Sequence, residues 1–257
     1  QEKGRMLSPL LLAPYSQNLP GFLSENDCWQ KAFYDLKAAT GGKGVWVLDC
    51  GNDRPEILKT LLLVQSRWIV RLREDRLLAG PDGTERPAGD WANEALLTRP
   101  ERGRSVTLPV KLPLGKERIS EKLHLVVSTY RFGKKQERLV LLTRGLIGHK
   151  VGPRQVRRLY ARRWRAEDAK RFFGQLWHVE KFLTRSYVAL ERMLGCVTAA
   201  GGFLADLQRS NPNLAEELQQ EGVLYTHHQE KVPCYRLARG IQALALRRDP
   251  PSMLQNA

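Results

Sequence analysis

Tyr160, Arg163 and Glu167 stand at i, i+3 and i+7 within the run Tyr160-Ala161-Arg162-Arg163-Trp164-Arg165-Ala166-Glu167. At about 100° per residue, an uninterrupted helix brings the three within roughly 60° of one another, so a phenol, a guanidinium and a carboxylate share one face. A single carboxylate on a strongly basic helix suits a divalent metal held beside a phosphate. The same spacing suits a plain i, i+4 ion pair on an exposed helix, and on spacing alone that competitor is the stronger. A second isolated acid, Asp49, closes the apolar run Val45-Trp46-Val47-Leu48. It reads either as a ligand at a strand end or as a turn residue capping the segment after it. Phosphodiester cleavage by two divalent cations needs a few such carboxylates, because Mg²⁺ takes hard oxygen ligands yet keeps positions for water and phosphate.

The charge balance points the same way. Across 257 residues, 42 Lys and Arg oppose 27 Asp and Glu, a net charge of +15, and arginine outnumbers lysine. Arginine's planar fork suits phosphate, so a polyanionic partner is expected, nucleic acid being the commonest. Cys28, Cys50, Cys196 and Cys234 are widely separated with no C-x-x-C pair, which argues against a zinc ribbon or a secreted disulfide framework. His227, His228 and Cys234 lack a fourth ligand at finger-like spacing. No run approaches the ~18 uninterrupted apolar residues of a membrane span, the longest being Met193 to Ala205. A soluble, cytoplasmic protein with reduced thiols is the expectation.

The elements that must carry these residues follow from periodicity. Residues Met6 to Pro14 read as a strand. Ser24 with Asp27 reads as an N-cap, and Trp29, Ala32, Phe33, Leu36 and Ala39 as one helical stripe, giving a helix over 26–39 that ends at the glycine turn 41–44. Val45 to Leu48 is a short buried strand. Pro55 at a first helical position opens a helix through Val64, and Arg67 to Leu72 is the next strand. Strand, helix and strand in about 30 residues make a parallel crossover, which places Asp49 at the carboxyl end of a central strand, where open α/β sheets build their sites. From Arg73 to Leu141 turn signals separate alternating runs at Ser105 to Pro109, Leu123 to Tyr130 and Leu139 to Thr143, a mostly antiparallel block. One helical stretch is expected over 153–177, and a buried apolar helix over 187–207. A polar linker over 209–222 and a C-terminal helix over 235–246 complete the chain.

Taken together, these residues resemble the DDE transposases of insertion sequences, in particular the group with a Tyr-x2-Arg-x3-Glu-x6-Lys signature. The match is carried by Tyr160, Arg163 and Glu167, by Arg171-Phe172-Phe173-Gly174-Gln175-Leu176 and Glu180-Lys181-Phe182-Leu183-Thr184-Arg185-Ser186 downstream, and by Val47-Leu48-Asp49-Cys50-Gly51-Asn52-Asp53 upstream. The resemblance implies an α/β, ribonuclease H-like fold: a mixed five-stranded sheet with flanking helices and a β-rich insertion between the second Asp and the Glu. It implies Asp49 and Glu167 as catalytic metal ligands for two Mg²⁺ or Mn²⁺ ions, and Tyr160 and Arg163 as holders of DNA phosphates near the cut. Gly174 stands where the signature has lysine, and Arg171, one turn earlier and about 20° from the direction of Tyr160, is the candidate replacement.

The implied organisation is a first part of the catalytic core over 1–72, the insertion over 73–143, a helical completion over 144–208 and a helical tail over 209–257. The family's first aspartate ends a strand, and no upstream acid among Glu2, Glu25, Asp27 and Asp35 does so here. The expectation is therefore a transposase fragment of the bacterial nucleoid that acts on transposon ends and target DNA as a homodimer, without membrane association, and that nicks little for want of that aspartate. The rival is a non-catalytic DNA-binding or dimerising regulator derived from a transposase. A resolvase-type nuclease would share the carboxylates without calling for Tyr160 and Arg163.

Overall fold

The computed structural model describes residues 11, 15–17, 21–97, 105–114, 117–132, 135–148, 151–181, 186–223 and 233–248. The strand expected over Met6 to Pro14 lies outside them apart from Leu11, which is exposed and irregular. The described residues divide into two compact units, Tyr15–Arg163 and those from Trp164 onward.

In the first unit, helix α1 (Glu25–Thr40) opens on Ser24, whose hydroxyl accepts the Asp27 N–H at 3.2 Å, and closes on Gly41 at φ 59°, a left-handed turn that glycine adopts without strain. Strand β1 (Trp46–Leu48) and strand β2 (Trp68–Arg71) flank helix α2 (Pro55–Val64) and pair in parallel, Trp46 opposite Trp68 and Leu48 opposite Val70. This is the crossover that the run lengths predict. Strands β3 (Leu77–Ala79) and β4 (Glu85–Pro87), helix α3 (Ala88–Leu97), and the long strands β5 (Ser105–Leu114), β6 (Glu117–Phe132) and β7 (Lys135–Arg144) follow. Helix α3 is not anticipated by the turn signals around Pro87-Ala88-Gly89; its Ala88, Ala92 and Ala95 form a small-residue stripe that lies flat on the sheet.

One mixed sheet of seven strands results, in the order β1-β2-β7-β6-β5-β3-β4, parallel only between β1 and β2. The fold is α/β, with two strands more than the resemblance implies, and the β-rich block continues the same sheet through β7 beside β2. Asp49 does not follow a central strand: among the described residues β1 pairs with β2 alone and stands at the sheet edge.

Alternation along β2 sorts the core. Trp68, Val70 and Leu72 face a cluster built with Phe33 of α1, Ile57, Leu58 and Leu61 of α2, and the alanines of α3. Ile69 faces the other side, with Val126 and Leu141, against Val156 and Tyr160 of helix α4 (Pro153–Ala161). The unit is thus three layers, helices on both faces of the sheet.

The second unit holds helices α5 (Trp164–Trp177), α6 (Tyr187–Ser210), α7 (Pro212–Val223) and α8 (Pro233–Arg248) around Phe172, Leu204, Leu218, Tyr235 and Leu237. The expected polar linker over 209–222 is helix α7: Ala215, Leu218 and Gly222 recur at i, i+3 and i+7 and give it a buried face. Helix α6 has its expected extent but not its expected burial. Only Gly201 and Leu204 are buried, because its contacts fall on the C-terminal half, and Val188, Met193 and Phe203 are exposed. By length and composition α6 is also the one helix among the described residues long and apolar enough to cross a membrane, a test that core helices of soluble proteins pass as well.

Candidate functional site

The carboxyl ends of β1 and β2 lie side by side because the pair is parallel, and each leads into a polar turn. After β1, Asp49 caps a single 3₁₀ turn (Cys50–Asn52): its Oδ1 accepts the Gly51 N–H at 3.1 Å and the Asn52 Nδ2–H at 2.8 Å. Both bonds fall on one oxygen. Asp49 is half-buried, and Oδ2 carries no hydrogen bond to the described residues. The capping role weighed from the sequence is real, and it uses one of the two carboxylate oxygens.

Helix α4 brings the phenol. It starts at Pro153 after Gly152, whose N–H is held by Gln155 Oε1 at 2.7 Å, and its Val156 and Tyr160, one turn apart, press on the sheet. Tyr160 is 4% exposed, and its hydroxyl oxygen has no aligned hydrogen-bond partner among the described residues. Burial pushes the phenol above its ordinary value; Arg163, through its charge and a polar approach to the hydroxyl too poorly aligned to count as a full hydrogen bond, and the charge of Arg71 pull it down, and the carboxylate of Asp49 adds to the rise. Arg163, Arg71 and Asp49 therefore all lie close enough to act electrostatically on the Tyr160 phenol. The Arg163 guanidinium lies over the Tyr160 ring, 5.8 Å from its centroid.

The single helix assumed from the spacing is two. Helix α4 ends at Ala161, and the Arg162 and Arg163 N–H groups bond back three residues, to Leu159 and Tyr160, at 3.1 and 2.9 Å. This tightened 3₁₀ turn precedes α5, so the face arithmetic that joined Tyr160 to Glu167 through a regular helix does not apply. Glu167 lies half-buried in the first turn of α5, where a helix dipole favours a carboxylate, and belongs to the other unit. Arg171 is exposed and lies 3.5 Å from Asp168, one turn before it; Gly174 is half-buried. The connector quoted above lies outside the described residues over 182–185.

Arg71 is the residue that the sequence argument passed over. It is the last residue of β2, its side chain points to the same sheet face as Ile69, and it faces Tyr160. Its signal was a charged residue ending the second strand of a parallel crossover. Among the described residues no group of three metal-ligating side chains is present. The chemistry gathered in this unit is one half-buried carboxylate, one buried phenol and two guanidiniums, a set that suits a phosphate oxygen near a hard cation. No model of a known protein family matches the chain, and no curated protein matches it.

Proposed function

We propose that the chain is a catalytic-core segment of the DDE transposase type, ribonuclease H-like in fold, which binds DNA and takes part in metal-dependent nicking and strand transfer at transposon ends. The single observation that carries this is the buried Tyr160 phenol, with the Arg163 guanidinium over its ring and the charges of Arg71 and of the strand-end carboxylate Asp49 near enough to act on it. Arginines bind phosphate oxygens through a planar fork, and a buried phenol kept protonated donates a hydrogen bond to one of them. Asp49, through its unbonded oxygen, and Glu167 would be ligands of the Mg²⁺ or Mn²⁺ ions, which when bound activate a water or 3′-hydroxyl and steady the leaving oxygen. Two carboxylates are few for a pair of cations, so nicking by this chain is expected to be nil or slight. A second reading, a non-catalytic DNA-binding or dimerising regulator, is favoured by the capping role of Asp49, which would retain that residue without catalysis.

The test is binding to duplex DNA by fluorescence anisotropy over a salt series, together with a supercoiled-plasmid nicking assay in Mg²⁺ or Mn²⁺. Binding should weaken steeply with salt, and Arg163→Ala or Arg71→Ala should each reduce the logarithmic slope by about one phosphate contact. An affinity independent of salt would sink the DNA reading. Nicking that Glu167→Gln or Asp49→Asn abolishes would favour the enzyme over the regulator; binding without nicking would favour the regulator.

A further inference from the structure

We infer that Asp53 is a positioning residue that holds the two halves of this site in register; the inference rests on the phosphate-binding reading above. Asp53 is 2% exposed, the one charged residue that is buried among the described residues. Its backbone N–H closes its own turn, bonding the Cys50 carbonyl at 3.2 Å, while its carboxylate and carbonyl oxygens bond across the gap between the two strand ends. Oδ1 accepts Arg76 Nε–H at 2.7 Å, Oδ2 accepts the backbone N–H of Arg73 at 2.8 Å, and the Asp53 carbonyl accepts Arg76 Nη2 at 2.8 Å. The Arg73 Nε lies 3.9 Å from the same carboxylate, with its side chain more than half exposed. Asp53 closes the turn that Asp49 opens, and Arg73 lies two residues beyond Arg71, just past the end of β2, its Nε also 3.7 Å from Asp75 Oδ1.

A buried ion pair is weak evidence for stability, because desolvation offsets most of the attraction and an apolar pair of like volume often does as well. What such a pair supplies here is geometry: three bonds of defined direction tie the turn after β1 to the turn after β2. Arg54 ties the first turn again on its outer side, through Nε to the Gly51 carbonyl at 3.0 Å and through Nη1 to Glu25 and Asn26 of α1 at 3.2 and 3.1 Å. Asp49 and Arg71 are thereby held at a set separation, and the half-exposed Arg73 guanidinium, two residues on, is a second group that this tie would hold for a phosphate.

The sign of a charge change separates this role from simple electrostatics. Asp53→Asn removes a negative charge from a protein bound to a polyanion, so long-range attraction alone would tighten binding. Positioning predicts the reverse, a several-fold loss of duplex affinity. Asp53→Glu keeps the charge and displaces the carboxylate by one methylene, so it isolates geometry and serves if Asp53→Asn does not fold. Both are compared with the wild-type chain by anisotropy, below the melting temperature each shows by circular dichroism. The same substitution is repeated in an Arg71→Ala, Arg73→Ala background. There Asp53→Asn should have no further effect, since the groups it positions are gone. Affinity equal to or tighter than wild type in both folded variants, or an equal loss in the two backgrounds, would overturn the inference while leaving DNA binding by the wild type in place. A wild-type chain that shows no salt-dependent binding would overturn the phosphate-binding reading itself, and this inference with it.

Discussion

Tyr160 shows how a residue noticed for its spacing acquires its properties from packing. Helix α4 buries the ring between Val156 and the sheet, and the environment keeps the phenol protonated beside Arg163, Arg71 and Asp49. A group whose proton is held more tightly in the folded state than in the unfolded chain stabilises the fold at pH values below the unfolded phenol's. That contribution is lost as pH rises through the higher folded value. Thermal melts of the wild type should therefore show a decline in stability beginning above about pH 10, the ordinary phenol range, and Tyr160→Phe should remove Tyr160's part of it. At neutral pH the same substitution should leave stability within about 1 kcal/mol of wild type, since the buried hydroxyl has no aligned partner to lose. Weaker DNA binding by Tyr160→Phe with an unchanged melting temperature would place the hydroxyl on the ligand side of its role.

Among the elements, α7 and α8 form the closest helix pair. A Cβ on Gly222 would come within 1.9 Å of the Arg236 carbonyl oxygen, and one on Gly240 within 1.8 Å of that of Leu218. Both contacts are to backbone, which cannot swing aside, so the helices approach only because each presents glycine to the other. Gly240→Ala should force the pair apart and destabilise the second unit by about 1–3 kcal/mol, the usual range for overpacking. The measurement is a melt followed by helical circular dichroism, and an unchanged transition would show that α7 and α8 do not depend on this crossing. Gly201, whose added Cβ would meet the Phe173 ring at 2.6 Å, is the corresponding point between α6 and α5, where a side chain can yield.

At the scale of the whole molecule, the boundary between Arg163 and Trp164 matters most. The first unit contains all seven strands of the sheet among the described residues and helices on both of its faces, so residues 15–163 expressed alone should unfold in one cooperative transition and, on the proposed function, bind DNA with the same salt dependence as the whole chain. A fragment that melts without cooperativity, followed by tryptophan fluorescence, would show that the second unit is required for the first to fold.

Much of the first unit was legible locally. Ser24 and Gly41 bracket α1, Pro55 starts α2, and the apolar runs at Trp46 to Leu48 and Trp68 to Arg71 mark a parallel pair, because caps, turn residues and short-range periodicity are properties of neighbouring residues. Composition likewise determined the charge of +15, from which a polyanionic partner is the expectation. Tertiary structure decided what depends on partners distant in sequence. β1 stands at the edge, since strand order is a matter of pairing; α6 stays largely exposed, since an apolar helix is buried only where another element covers it. The same holds at the site. Spacing placed Tyr160, Arg163 and Glu167 on one face by assuming a straight helix, whereas a 3₁₀ turn at Arg162 and Arg163 breaks the period, and Arg71 and Asp53 enter only because two parallel strands end side by side.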